Sequence, residues 1–205
     1  YNSSSPTFVF DASIGKWTFN YYAVNQHQKL IEDAKYNYLY DSGLQTNSIS
    51  ETRSWLNSFG NRLNISYEVN DKSTLAISEY VGNVTIKNKQ NSVVETILGN
   101  DEEAMESNNM IHGPESQFVQ QTVAKYILTT DDKGSKLELT ADYYHQNHHL
   151  KQFEDIDNIR TYENSTQEKT NMFQLYPKYT RKFNGGKELK VGTNYQFIRY
   201  NDETD

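Results

Sequence analysis

The stretch Leu63-Asn64-Ile65-Ser66-Tyr67-Glu68-Val69-Asn70-Asp71-Lys72-Ser73-Thr74-Leu75-Ala76-Ile77-Ser78 reads as strand, turn and strand. Successive side chains of a strand point to opposite faces. Leu63, Ile65, Tyr67 and Val69 set against Asn64, Ser66 and Glu68 therefore describe a strand with one apolar and one wet face. Asn70-Asp71-Lys72-Ser73 supplies residues that tolerate positive φ in a tight turn, and Leu75 and Ile77 restart the alternation. The unit is an antiparallel hairpin.

The same rhythm runs along the chain on both sides of it. Trp17, Phe19, Tyr21 and Ala23 alternate with polar partners, as do Leu137, Leu139, Ala141 and Tyr143, and Leu189, Val191, Thr193, Tyr195 and Phe197. Phe173, Leu175, Pro177 and Tyr179 follow it too, although Pro177 lacks an N–H and implies a bulge or a break in pairing. Glu79 falls on the face of Leu75 and Ile77, which predicts a register shift there before Gly82, Val84 and Ile86 resume the pattern.

Short connections alternate with long ones. Residues 13–16, 70–73, 131–135 and 184–187 are tight-turn sequences, whereas residues 28–52, 87–115 and 147–166 lack clear alternation and read as long polar loops. One of these loops carries the acidic run Asn100-Asp101-Glu102-Glu103, and a turn of helix around Glu95 to Met105 is the one helical alternative. Counting turns gives about eight strands in four hairpins. In an up-and-down meander all the tight turns then fall at one end and all the long loops at the other. The fold class is all-β, an antiparallel series forming part of a β-barrel wall, over a single region 1–205.

Of 205 residues only 35% are hydrophobic, and 16 are Tyr, which suits a thin sheet wet on one side better than a thick core. The formal charge of -7 disfavours a nucleic-acid or anionic-lipid partner, since phosphate binding needs a basic surface. The absence of Cys removes disulfides, Cys-based zinc sites and thiol nucleophiles. No run of about 18 apolar residues offers a membrane-spanning helix, and no signal-peptide pattern opens the chain. A start at Tyr1 suggests a processed product or part of a longer protein.

One apolar face, one polar face, short turns at one end and long loops at the other are what a barrel in lipid requires. Backbone groups there must all be paired by neighbouring strands. Trp17, Tyr67, Tyr80, Tyr143 and Tyr195 are placed to form interfacial girdles. The alternative is a soluble all-β domain, lipocalin-like or sandwich-like, that binds a ligand or carbohydrate in a cavity; a secreted carbohydrate-active enzyme is a weaker third.

Three segments, 62–78, 131–144 and 178–195, with their "N-D-K-S" and "D-D-K-G" turns, resemble the barrel region of TonB-dependent-receptor-like outer-membrane proteins of the Bacteroidetes type. With their flanks they cover about half of the chain. The resemblance implies a bacterial outer-membrane location and a part in nutrient uptake. It also implies as partners the remainder of the barrel, its plug, the lipid bilayer and an extracellular nutrient ligand. Neither a plug nor an energy-coupling segment is recognisable, so the resemblance is to a fragment.

Catalytic, cofactor and metal sites are not expected, and the chain reads as a non-enzyme. His145, His148 and His149 are the one metal-like constellation. On a strand, however, His145 and His149 share a face that His148 opposes, so the three converge only on an irregular backbone. The acid pairs Glu102/Glu103 and Asp155/Asp157 read as solvated loop charges, without calcium-loop spacing.

Overall fold

The computed structural model describes residues 2–41, 43–97 and 104–204. It is one antiparallel sheet of ten strand segments: β1 (Asn2–Ser4), β2 (Thr7–Ile14), β3 (Trp17–Leu39), β4 (Gln45–Asn70), β5 (Ser73–Ile97), β6 (Ala104–Thr129), β7 (Lys136–Ile156), β8 (Ile159–Lys182), β9 (Glu188–Gly192) and β10 (Tyr195–Thr204). Each long strand pairs with its chain neighbour. β1 and β2 both lie on β3, while β9 and β10 both lie on β8. The ten segments therefore occupy eight lines, as the turn count predicts.

The two edge lines are interrupted where a proline breaks the ladder. Ser4 pairs with His27 and Thr7 with Val24 in unbroken register, with Pro6 between them offering only its carbonyl, to Asn25 N at 3.1 Å. At the other edge Lys178 pairs with Gly192 and Leu175 with Tyr195, and Pro177 O accepts from Thr193 N at 3.2 Å. The break expected at Pro177 is thus on its outer side only; Pro177 faces Leu139 in continuous register on the inner side.

The long connections are not loops. β3 and β4 stay paired out to Leu39 and Gln45, and β7 and β8 out to Ile156 and Ile159, so these stretches are twisted ribbons closed by short turns. Backbone ladders need no apolar contrast between faces, and Thr-, Val- and Ile-containing polar sequence pairs as well as patterned sequence does. The β7–β8 ribbon closes on Asp157 (φ 50) and Asn158 (φ 66), the residue types that best tolerate left-handed backbone in a two-residue hairpin turn. The β3–β4 ribbon closes through Gly43 at φ 82. Residues 100–103, with Glu102 and Glu103, lie outside the described residues. Glu95 to Ile97 and Met105 are strand, which replaces the helical alternative there.

The register shift expected at Glu79 does not occur: Glu79 pairs with Leu63 and with Thr122 in continuous ladders. Its carboxylate accepts from Gln120 Nε2 at 2.8 Å and from the Thr122 hydroxyl, so a charge on the apolar face is satisfied locally without breaking the backbone.

The tight turns are built from polar side chains. Asp131 accepts from Lys133 N, Ser135 N and the Ser135 hydroxyl at 3.0, 2.9 and 2.7 Å. The fully buried Ser135 hydroxyl in turn accepts from Lys182 N at 2.9 Å, tying the β6–β7 turn to the end of β8.

The β6–β7 ladder is interrupted between His112–Phe153 and Glu115–Leu150, at Gly113-Pro114. A Cβ on Gly113 would collide with the backbone carbonyl of Lys151. Gly113→Ala is expected to destabilise the protein by about 1–3 kcal/mol, the usual cost of overpacking, and to speed amide exchange at His112 and Phe153. Unchanged stability and exchange would show that the two strands separate freely there.

Candidate membrane interface and polar lining

Directly paired residues share a face, so the register assigns every side chain to one of two sides. On one side, beginning at the tight-turn end, lie Trp17, Phe19, Tyr21 and Ala23 of β3 and Tyr67, Ile65 and Leu63 of β4. The same rows continue through Leu75 and Ile77 to Tyr126 and Ala124, then Leu139, Ala141 and Tyr143, and Pro177, Leu175 and Phe173. Phe8, Phe10 and Ile14 complete the band at one edge, and Val191, Tyr195 and Phe197 at the other. Depending on strand, the band runs seven residues (Trp17 to Ala23) to eleven (Leu128 to Phe118), close to the roughly 9–11 that a tilted strand needs to cross a bilayer.

This band is the exposed side of the sheet. Leu137, Leu139 and Tyr143 are exposed, whereas Glu138, Thr140 and Asp142 between them are half-buried. Val191 and Phe197 are 60% and 67% exposed. Among the described residues no apolar side chain is buried; the buried side chains are those of Ser50, Ser73, Ser135, Asp155 and Thr180, beside the buried glycines Gly60 and Gly82. The chain exposes 14036 Å², against about 9,900 Å² for a compact soluble protein of this mass.

The opposite side is hydrogen-bonded laterally. Asp11, Asn20, Asn64 and Ser78 stand in one row across four strands: Asn20 donates to Asp11, Asn64 Nδ2 donates to Asn20 Oδ1 at 2.8 Å, and Ser78 Oγ donates to Asn64 Oδ1 at 2.6 Å. Further along, Glu138 lies between Lys125 Nζ at 3.2 Å and Lys178 Nζ at 3.0 Å. These charges stand back to back with Leu137 and Leu139, so the two faces of β7 differ sharply in polarity.

Trp17 and Tyr67, with ring centroids 4.5 Å apart, and Tyr195 lie on the apolar side at its tight-turn end, as the girdle reading requires, and Tyr143 shares that side. Tyr80 does not. It is on the polar side, where its ring covers Gly82 and Gly60 and the Arg62 guanidinium lies 5.6 Å from its centroid. Gly60 and Gly82 are a direct pair, and that space is filled by the Tyr80 ring in place of Cβ atoms.

The histidines separate as strand geometry dictates. His145 Nδ1 is 2.8 Å from Asn171 on the apolar-band side, which His149 shares. His148 is on the polar side with Glu115 3.1 Å from Nε2 and Glu168 3.4 Å from Nδ1. The two carboxylates use opposite ring nitrogens and do not converge on one point. Among the described residues no group of His, Asp and Glu is arranged to hold a metal ion.

Asp155 and Asp157 are likewise separated by role. Asp157 accepts from Asn108 N at 2.9 Å and shapes the ribbon tip. Asp155 accepts from the Arg160 guanidinium and lies 3.1 Å from His112 Nε2, and Arg160 also covers the Phe153 ring at 4.3 Å. Arg160, and after it His112, hold the Asp155 carboxyl below the ordinary aspartate range. A depressed carboxyl stabilises the fold above the unfolded value of about 3.9 and ceases to as pH falls through its lower folded value. Carboxyl-carbon NMR titration is expected to find Asp155 ionising below that reference, with Arg160→Ala moving it upward; an unmoved titration would remove Arg160 as the cause.

No protein-family model and no curated protein sequence matches the chain. Among solved structures it resembles the ferric preacinetobactin receptor BauA of Acinetobacter baumannii at 9% identity and a TM-score of 0.45, over 98% of this chain and 40% of that one. It also resembles the ferric yersiniabactin uptake receptor FyuA of Yersinia pestis at 6% identity and a TM-score of 0.37, over 99% and 42%. Against the RagAB peptide importer the values are 9% and 0.32, over 98% and 37%. The chain spans about two-fifths of the length of these proteins. Overlaps this loose carry no weight beside the faces and edges of the sheet itself.

Proposed function

We propose that this sheet is a section of the wall of an outer-membrane β-barrel of the TonB-dependent-receptor-like type, serving nutrient uptake. The observation that carries the membrane reading is the inverted surface: an apolar band, interrupted at Glu79, Gln120 and Thr122, is exposed, the polar face is sheltered, and no apolar side chain is buried among the described residues. A soluble sandwich or lipocalin-like domain would bury that band against a second layer.

The two edge lines support the same reading. Each pairs on one side only, and an open edge in lipid leaves backbone groups unsatisfied, so the barrel closes by pairing these edges with strands outside the sheet. Tight turns face the periplasm in such barrels and longer connections face outward. The ribbons of β3–β4 and β7–β8 would then stand outside the cell, where they would meet a nutrient before it enters the lumen. The specific choice of receptor type and of uptake rests on the sequence resemblance of segments 62–78, 131–144 and 178–195.

The two tryptophans report the membrane position directly. Trp17 is opposite Tyr67 and Trp55 lies twelve residues further along the same strand. At roughly 3.3 Å per residue and a tilt of about 35–45° they are about 28–32 Å apart along the bilayer normal, near the thickness of the hydrocarbon core. Single-tryptophan variants Trp17→Phe and Trp55→Phe in bilayers are expected to be quenched by shallow lipid-attached quenchers, each from its own leaflet. Emission indifferent to lipid quenchers would sink the membrane reading.

A charge scan gives an independent check. Leu63→Arg and Ala141→Arg, on the apolar band, are expected to cost about 2–4 kcal/mol in the bilayer, and Thr140→Arg on the other face little. Equal costs on both faces would contradict the assignment of sides.

A further inference from the structure

Strand β6 has a paired neighbour on each side, and Pro114 lies within it. Between β6 and β7 the backbone bonds run through the even-numbered residues of β6, as Thr130 N to Ser135 O and Asp157 N to Asn108 O show, both at 2.8 Å. In that alternation Pro114 should exchange two bonds with Lys151, and it has no N–H to give. Gly113, Pro114, Lys151 and Gln152 are all missing from this ladder. Towards β5 the missing donor costs nothing. There the odd-numbered residues of β6 bond, as Thr129 N does to Lys72 O, and the β5–β6 ladder continues unbroken to Ile97 and Ala104.

Beyond the missing rung the wall divides into two bodies. On one side β3, β4, β5 and β6 remain paired with one another. On the other, β7 and β8 stay paired up to their turn, and a register shift after Glu154 brings Arg160 onto Asp155 and over the Phe153 ring at 4.3 Å. Across the seam between the bodies only four pairs remain, from His112–Phe153 to Asn109–Ile156. Three contacts reinforce them: His112 Nε2 lies 3.1 Å from Asp155, Asn109 Nδ2 donates to Glu154 at 3.1 Å, and Asn108 N donates to the Asp157 carboxylate at 2.9 Å. The buried Asn109 Oδ1 has no donor. Where the ribbon ends lies a cavity of about 800 Å³, which Asp155 and Asn158 line from β7–β8 and Ile49, Asn91, Val93 and Met110 from β4, β5 and β6.

We infer that the β7–β8 ribbon beyond Leu150 is a stiff leaf that swings at Gly113-Pro114, carrying Asp155 and Asn158 to and from this cavity. Opening breaks the Met110–Asp155 and His112–Phe153 rungs with the three contacts, and leaves the β5–β6 and β7–β8 ladders intact. A segment with few bonds to one neighbour and continuous bonds to the other opens at a lower free energy than the whole sheet unfolds. The inference stands on the ladder alone, whichever solvent meets the two faces, so it goes beyond the membrane reading and neither result decides the other.

Residue-resolved hydrogen exchange on the whole chain in detergent micelles tests it, because parity separates the amides of a single strand. The N–H groups of Met110, His112, Phe153 and Asp155 face the seam, whereas those of Asn109, Ile111, Gln152 and Glu154 face β5 or β8. The first set is expected to exchange at least about tenfold faster than the second. Gln120 and Thr122, which face β7 below the gap, are expected to be as slow as the second set. Equal rates in the two sets would overturn the proposal: both slow would mean a closed seam, and both fast a ribbon that melts instead of swinging. Ile111 and Glu154 form a non-hydrogen-bonded pair, the arrangement in which facing side chains are closest. The variant Ile111→Cys/Glu154→Cys is therefore expected to form a disulfide across the seam. Oxidised, it is expected to slow Met110 and His112 to the rates of the second set; reduced, to leave them fast. Equally fast exchange in the two forms would also overturn the proposal, since those amides would then open without separation of the strands.

Discussion

The antiparallel backbone ladder is the interaction on which everything else in this structure depends. Most soluble folds divide their stability between backbone pairing and a buried core, but here the described residues bury no apolar side chain. What remains is a set of strands 21 to 26 residues long, in which each strand from β4 to β7 is paired with a neighbour on both sides. A sheet held this way leaves its two faces free to answer to different solvents. The faces differ accordingly: Leu137, Leu139 and Ala141 on one, Glu138, Thr140 and Asp142 on the other.

That dependence explains which parts of the fold were legible in the sequence. Near the tight turns side chains alternate, and Leu63 to Val69 or Leu137 to Tyr143 reads directly as a two-faced strand. On the membrane reading proposed above, both faces meet the same polar medium further out, and the contrast vanishes. Residues such as Asp33, Ala34, Lys35 and Tyr36 then read as loop although they pair with Ser48 to Glu51 in perfect register. The signal that does survive there is local: Asp157-Asn158 is a two-residue turn sequence, and its presence marks a hairpin where alternation does not.

Parity errors have the same origin. Glu79 suggested a shifted register because a charge on an apolar face is costly, yet two neighbouring donors, Gln120 and Thr122, satisfy it more cheaply than a bulge that would turn every later residue of β5 to the other side. With no shift at Glu79, Tyr80 falls on the polar side and its ring settles over Gly82. That Lys29, Trp55 and Lys87 stand in one row, with Arg53 and Lys89 in the next, was illegible for a further reason. These residues are far apart in sequence and become neighbours only through the pairing of β3, β4 and β5, while the net charge that the sequence offers sums over both faces and both ends.

The ladder also constrains whatever lies beside it. Tyr195 and Phe197 on the last line, and Phe8 and Phe10 on the first, point to the same side as the band between them. Because directly paired residues share a face, a strand joining either edge must place its own apolar residues opposite these four and its polar residues opposite Gln196 and Asp11. Prolines at 6 and 177 leave the register unbroken, and their carbonyls face Asn25 and Thr193 inside the sheet, so the donors they lack do not fall on the open edges. The alternation that is legible at 63–78 is therefore a rule that the neighbouring wall must obey as well, and it fixes the facing of any closing strand.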